Sequence, residues 1–332
     1  MNKPIIKRGG SLLERAAEIY DFSAHLNTRG IPADELLPAP KPVVVEAPAP
    51  VAPAPAPVAP HDTLELTVAA PLAAPKPRVR VAAPVAARHV RIDRDLLAEN
   101  GLLVPDAPIG VMAEEFRLAK RQLLLTTRKL AKSDPAKART ILVCSAKPGD
   151  GKTYCAINLA ISMAAERDLR VLLVDADFAK PGVLSRLGVS DGPGLLDALA
   201  DPAVDIEKFV VGTDIPNLSL LPAGTQTHDD TELVASDRTP ELIAQLLAAD
   251  PERLVIFDSP PALAASPASV LALHVGQVML VIRADKTSEG EIRETVQRLE
   301  GCDEIQLLLN SVAFAPGGDR FGSYYGQEDV GQ

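Results

Sequence analysis

The chain has 332 residues, with 34 basic and 44 acidic side chains, and a formal charge of −10 argues against a nucleic-acid partner. Tryptophan is absent and aromatic residues make up only 3%, so any core must be aliphatic. Three cysteines (Cys144, Cys155, Cys302) provide neither a disulfide framework nor a metal cluster, which fits a reducing cytoplasm.

In chain order, residues 11–26 (SLLERAAEIYDFSAHL) have helical spacing, with Leu12, Leu13, Ala16, Ile19 and Tyr20 on one face. They read as a frayed terminal helix or as a docking helix for a partner. Residues 38–60 hold nine prolines and seven alanines in 23 positions. Proline removes backbone donors and fixes φ, so residues 38–88 are expected to form a disordered, semi-rigid spacer. The organisation expected is therefore a 1–37 segment, this linker, an 89–134 helical connector, a 135–315 α/β domain and a 316–332 tail. Net charge runs −2 over residues 1–75, +7 over 76–139 and −15 over 140–332, so a basic connector leads into an acidic body. Anionic lipid is one possible use of the connector. No secretory signal is read at the N-terminus. The uncharged run Ser259–Ile282 carries Pro260, Pro261, Pro267, His274 and Gln277, and reads as loop, helix and strand rather than a membrane span.

Residues 112–131 predict a helix with Phe116, Ala119, Leu123, Thr127 and Leu130 on one face, acidic at its start and basic at its end. Beyond it, apolar runs at 140–145, 171–175, 218–221, 254–258, 277–282 and 305–310 predict strands. Helical patterns fall at 152–166, 194–200, 232–248, 267–274 and 288–300. Alternation of this kind implies a mostly parallel sheet with helices on both faces, an α/β fold of the P-loop NTPase type.

Residues 141–153 (ILVCSAKPGDGKT) run from a β-branched strand through a glycine-containing loop into a helix, the context a P-loop requires. Gly149 and Gly151 let backbone N–H groups curl around phosphate oxygens, and the helix N-terminus adds its positive end. Lys152 is placed to reach the β- and γ-phosphates, and Thr153 to ligate Mg²⁺. The candidates for lining ATP are Lys147, Pro148, Gly149, Asp150, Gly151, Lys152, Thr153 and Tyr154. Ala146 stands where the common pattern begins with glycine. Two more apolar strands end in carboxylates: VLLVDAD delivers Asp175 and Asp177, and LVIFD delivers Asp258. Open α/β sheets bind ligands at such strand ends, so these groups are expected to converge on the phosphate cleft.

The three segments together resemble the Walker A, A′ and B motifs of bacterial tyrosine kinases. Glu114, Arg117 and Lys120 resemble that family's E-x2-R-x2-R oligomerisation motif, with lysine as the last residue. RIDRDLLAENGLLVPD, LSLLPAGT and HVGQVMLVIRADKT are similar to the subgroup associated with exosortase-linked exopolysaccharide loci. The resemblance implies an ATP- and Mg²⁺-dependent autokinase that regulates exopolysaccharide polymerisation or export. It implies homo-oligomers, activation by a membrane-bound chain-length determinant, and peripheral recruitment to the inner membrane. Tyr324 and Tyr325, in the glycine-rich tail GGDRFGSYYGQ, are the expected phosphoacceptors. Lys152, Asp175 and Asp177 are the catalytic candidates, with Asp175 accepting the phenolic proton and Asp177 shaping the metal shell. Thr153, Asp175 and Asp258 are the candidate metal residues, and Asn310 by resemblance contacts adenine. Two other readings stay open. One is a MinD/ParA-like switch ATPase, supported by Lys147 five residues before Lys152. The other is a nucleotide-binding assembly module without catalysis.

Overall fold

The computed structural model describes residues 88–312. The helix expected over 11–26, the Pro/Ala-rich spacer and the Tyr324/Tyr325 tail lie outside the described residues.

The elements run β1 (Arg88–Val90), α1 (Arg94–Glu99), α2 (Val111–Leu130), β2 (Thr140–Ser145), α3 (Lys152–Ala164), β3 (Arg170–Asp175), α4 (Val183–Arg186), α5 (Leu195–Ala200), β4 (Val211–Thr213), β5 (Leu218–Leu221), α6 (Asp230–Ala235), α7 (Arg238–Ala249), β6 (Arg253–Asp258), α8 (Pro267–Ala272), β7 (Gln277–Arg283), α9 (Glu289–Arg298) and β8 (Ile305–Asn310). They form one sheet ordered β1-β4-β5-β3-β6-β2-β7-β8. Pairing is parallel except between β4 and β5, so β1 and β4 run against the other six strands. This is the expected P-loop type of α/β fold.

Every residue of β2 and β6 is buried, as an apolar run sandwiched between two helical layers requires. One face of the sheet packs on α1 to α4 through Leu97, Phe116, Leu123, Ile157 and Ile141. The other packs on α5 to α9 through Leu196, Leu242, Leu246, Leu271 and Leu299. Truncating a fully buried leucine here, such as Leu142 or Leu172, is expected to cost about 2–5 kcal/mol.

The face α2 presents inward is Phe116, Lys120, Leu123 and Thr126. It differs from the apolar stripe read from sequence because Lys120 finds an internal partner. The Lys120 ammonium donates to the Ser162 carbonyl at 2.8 Å and pairs with Glu166 at 2.8 Å, closing the C-terminal turn of α3. The helix expected over 232–248 is two helices. Pro240 has no N–H to continue a helix from α6, and it is tolerated in the first turn of α7. Strands β1 and β4 are three residues each, too short to leave a periodic signal.

Candidate active site

The strands carrying the sequence motifs are neighbours, in the order β3-β6-β2-β7-β8, and their C-terminal ends line one edge of the sheet. Val143 of β2 and Asp175 of β3 are both register partners of Asp258 on β6, while Arg283 of β7 partners Asn310 of β8. The P-loop leaves β2 at this edge and enters α3.

The loop holds its own shape. Its Ser145 hydroxyl donates to the Lys147 carbonyl at 2.9 Å, and the Lys147 N–H donates to the buried Asp150 carboxylate at 2.9 Å. Gly149 and Gly151 have φ of +86° and +100°, which L side chains adopt only under strain. At Gly151 a Cβ would also lie 2.1 Å from the Asn310 amide nitrogen.

Lys152 points into the protein, and its ammonium lies 2.6 Å from Asp177, 3.2 Å from the Thr153 hydroxyl and 4.0 Å from Asp258. Burial alone would lower its pKa. Attraction from Asp258, Asp177 and Asp175 outweighs burial and holds the pKa above the usual lysine value.

The carboxylates are unlike one another. Asp175 accepts from the Gly182 and Val183 N–H groups at 2.9 Å each and from the Asp177 N–H at 3.3 Å. Burial pushes its pKa up to about 6 against those hydrogen bonds. Asp177 accepts from Lys180 N–H at 3.3 Å besides pairing with Lys152. Asp258 is fully buried, and among the described residues neither of its oxygens has a hydrogen-bond partner. Burial pushes it up to about 7, opposed by the Lys152 ammonium and by the Thr153 hydroxyl, which approaches without reaching hydrogen-bond geometry. Two orphaned carboxylate oxygens beside a hydroxyl suit a hard divalent cation whose shell is completed by phosphate and water. Among the described residues no group of three or more His, Cys, Asp or Glu is arranged to hold a metal without such help.

The structure thus brings Lys152, Thr153, Asp175, Asp177 and Asp258 together. Other expected site residues are placed differently. Lys147 pairs with Glu291 of α9 at 2.7 Å, and Glu291 also accepts from Ser288 as the capping box of that helix. Tyr154 donates its hydroxyl to the Gly101 carbonyl at 2.9 Å, beside Met112, and its ring packs at 6.5 Å from Phe116. Pro148 is exposed at the tip of the loop. Asn310 donates its amide to the Asp150 carbonyl at 2.8 Å. On α2, Glu114 and Arg117 form an ion pair with each other, while Lys120 is buried.

Sequence reasoning missed Arg283, which donates to the Gly149 carbonyl at 2.9 Å, and the Glu291 partner of Lys147. The signal for Arg283 was its place at the end of the strand VMLVIR, once β7 is known to flank β2. Nothing in the sequence pointed to Glu291.

The AAA domain family model (AAA_31) matches residues 138–307. The putative tyrosine-protein kinase EpsB of Ralstonia nicotianae is 35% identical over 190 residues, 56% of this chain and 25% of that protein. Tyrosine-protein kinase YwqD of Bacillus subtilis is 28% identical over 242 residues, 72% of this chain and 97% of that one. The kinase domain of the Escherichia coli tyrosine kinase ETK superposes with a TM-score of 0.54 at 25% identity, covering 70% of this chain and 93% of that domain. The chain spans about a quarter of the length of the EpsB relative.

Proposed function

The chain belongs to the bacterial tyrosine kinase family, built on an AAA domain, and from that footing we propose that it is an ATP-dependent tyrosine autokinase whose acceptors are Tyr324 and Tyr325. The observation that carries this reading is the meeting of Lys152, Asp175, Asp177 and Asp258 beside a loop with left-handed glycines.

The loop's N–H groups and the N-terminus of α3 hold the β- and γ-phosphates of ATP. Lys152 exchanges the Asp177 carboxylate for phosphate oxygens. Thr153 and Asp258 are the residues that would hold Mg²⁺, in the same cluster as Asp175 and Asp177. Held there, Mg²⁺ would supply charge neutralisation at the phosphates. The phenolic oxygen of tyrosine forms a bond to the γ-phosphorus as the bond to ADP breaks. Asp175, oriented by Gly182 and Val183 and with a pKa near the working range, takes the phenolic proton. Positioning and charge neutralisation supply most of the acceleration.

Self-association uses Glu114 and Arg117 on α2, with Lys120 serving as an internal fastener of that helix. The kinase answers to a membrane-bound chain-length protein, through which it is recruited to the membrane, and tunes exopolysaccharide polymerisation or export. No helix among the described residues is long and apolar enough to cross a membrane.

Incubation of the full chain with Mg²⁺ and labelled ATP, followed by phosphosite mapping, tests the reading. Label is expected at Tyr324 and Tyr325 and is expected to vanish in Lys152→Ala. A chain that binds nucleotide yet carries no phosphotyrosine would remove the kinase assignment.

A further inference from the structure

Two side chains from strand ends grip consecutive carbonyls of the P-loop. Arg283, the last residue of β7, donates a guanidinium N–H to the Gly149 carbonyl at 2.9 Å. Asn310, the last residue of β8, donates its amide to the Asp150 carbonyl at 2.8 Å. Arg283 and Asn310 are register partners, so they stand side by side at the sheet edge.

The consequence follows from the peptide plane. In a trans peptide the C=O of one residue and the N–H of the next point in opposite directions. Pinning the Gly149 oxygen outward turns the Asp150 N–H the other way, and pinning the Asp150 oxygen does the same for the Gly151 N–H. Neither of those N–H groups has a partner among the described residues. They sit between the two left-handed glycines, the conformation in which successive N–H groups form an anion-binding nest. The Lys147–Glu291 pair ties the same loop to α9, so β7, α9 and β8 hold it at three points.

We propose that Arg283 is a positioning residue for phosphate binding: with Asn310 it fixes in advance the two peptide planes whose N–H groups receive the phosphate. The inference rests on the nucleotide-site reading above and names a residue that reading does not use. Preorganised donors cost no rearrangement when the charge arrives, which is where the gain in affinity comes from.

Calorimetric titration of the full chain with ADP and with ATP, both with Mg²⁺, tests it in wild type, Arg283→Ala, Arg283→Lys and Lys152→Ala. Arg283→Ala is expected to weaken ADP and ATP by the same factor, about tenfold. Arg283→Lys is expected to recover part of that loss, because an ammonium still reaches the Gly149 carbonyl. The melting temperature without nucleotide is expected to stay at the wild-type value. An unchanged ADP affinity in Arg283→Ala overturns the proposal. So does a loss confined to ATP, which would mean direct contact with the terminal phosphate. A loss that tracks a lower melting temperature and is not repaired by lysine overturns it as well. If the wild type binds neither nucleotide, the site reading itself falls; if the wild type binds and only Lys152→Ala fails, the brace alone is wrong.

Discussion

The Lys152 ammonium lies 2.6 Å from the Asp177 carboxylate, inside the protein. The lysine that would hold phosphate is engaged by an internal anion, and binding has to exchange one partner for the other. Asp177→Asn is therefore expected to tighten ADP binding by about threefold to tenfold, because a neutral amide competes less well for the ammonium. The same variant is expected to lose most kinase activity. Parallel calorimetry and phosphotyrosine assays check the split; weaker ADP binding would count against the exchange.

Asp258 gives a signed pH dependence. Burial raises its carboxyl pKa to about 7, against 3.8 for an exposed group, so the folded chain holds a proton that the unfolded chain has released. Its contribution to stability is present below about pH 4 and is lost as pH climbs through about 7. Asp258→Asn is expected to raise the melting temperature at pH 8 by a few degrees, with little change at pH 4, while abolishing transfer. Melting curves across that range decide it. Activity in the wild type is expected to rise through the same window, because Asp175 and Asp258 work as anions.

Gly151→Ala combines two faults. The left-handed backbone costs alanine about 1–2 kcal/mol, and the methyl group meets the Asn310 amide. Loss of nucleotide binding is expected, with a smaller drop in denaturation midpoint. Pairing it with Asn310→Gly relieves the collision only, so partial recovery of stability without recovery of ADP affinity is the predicted pattern.

Lys120 and Arg117 should part company. Lys120 is buried and satisfies Ser162 and Glu166, so Lys120→Ala is expected to destabilise the fold by about 1–3 kcal/mol. Among the described residues Arg117 pairs only with Glu114 on its own helix, and Arg117→Ala is expected to leave denaturation unchanged while weakening self-association. Urea titrations and light scattering separate the two effects.

The motifs were legible because each sits where an apolar strand stops, and hydrophobic runs are the plainest signal a sequence carries. Six strands and the meeting of Lys152 with three aspartates followed from that pattern. What stayed hidden depends on partners distant in the chain. The inward turn of Lys120 needs the end of α3, 42 residues on, and the grip of Arg283 on Gly149 spans 134 residues. The break between α6 and α7 was local, and Pro240 could have signalled it. Strands β1 and β4, three residues each, derive their pairing from the sheet they join.

Asp175 and Asp258 face each other across β3 and β6, two acids at adjacent strand tips, one of them holding a proton near neutrality. An arriving cation and triphosphate would drive that proton out into the surrounding medium. Heat measured on association near pH 7 should then vary with the ionisation enthalpy of the chosen buffer, and the slope would count the hydrogen ions expelled.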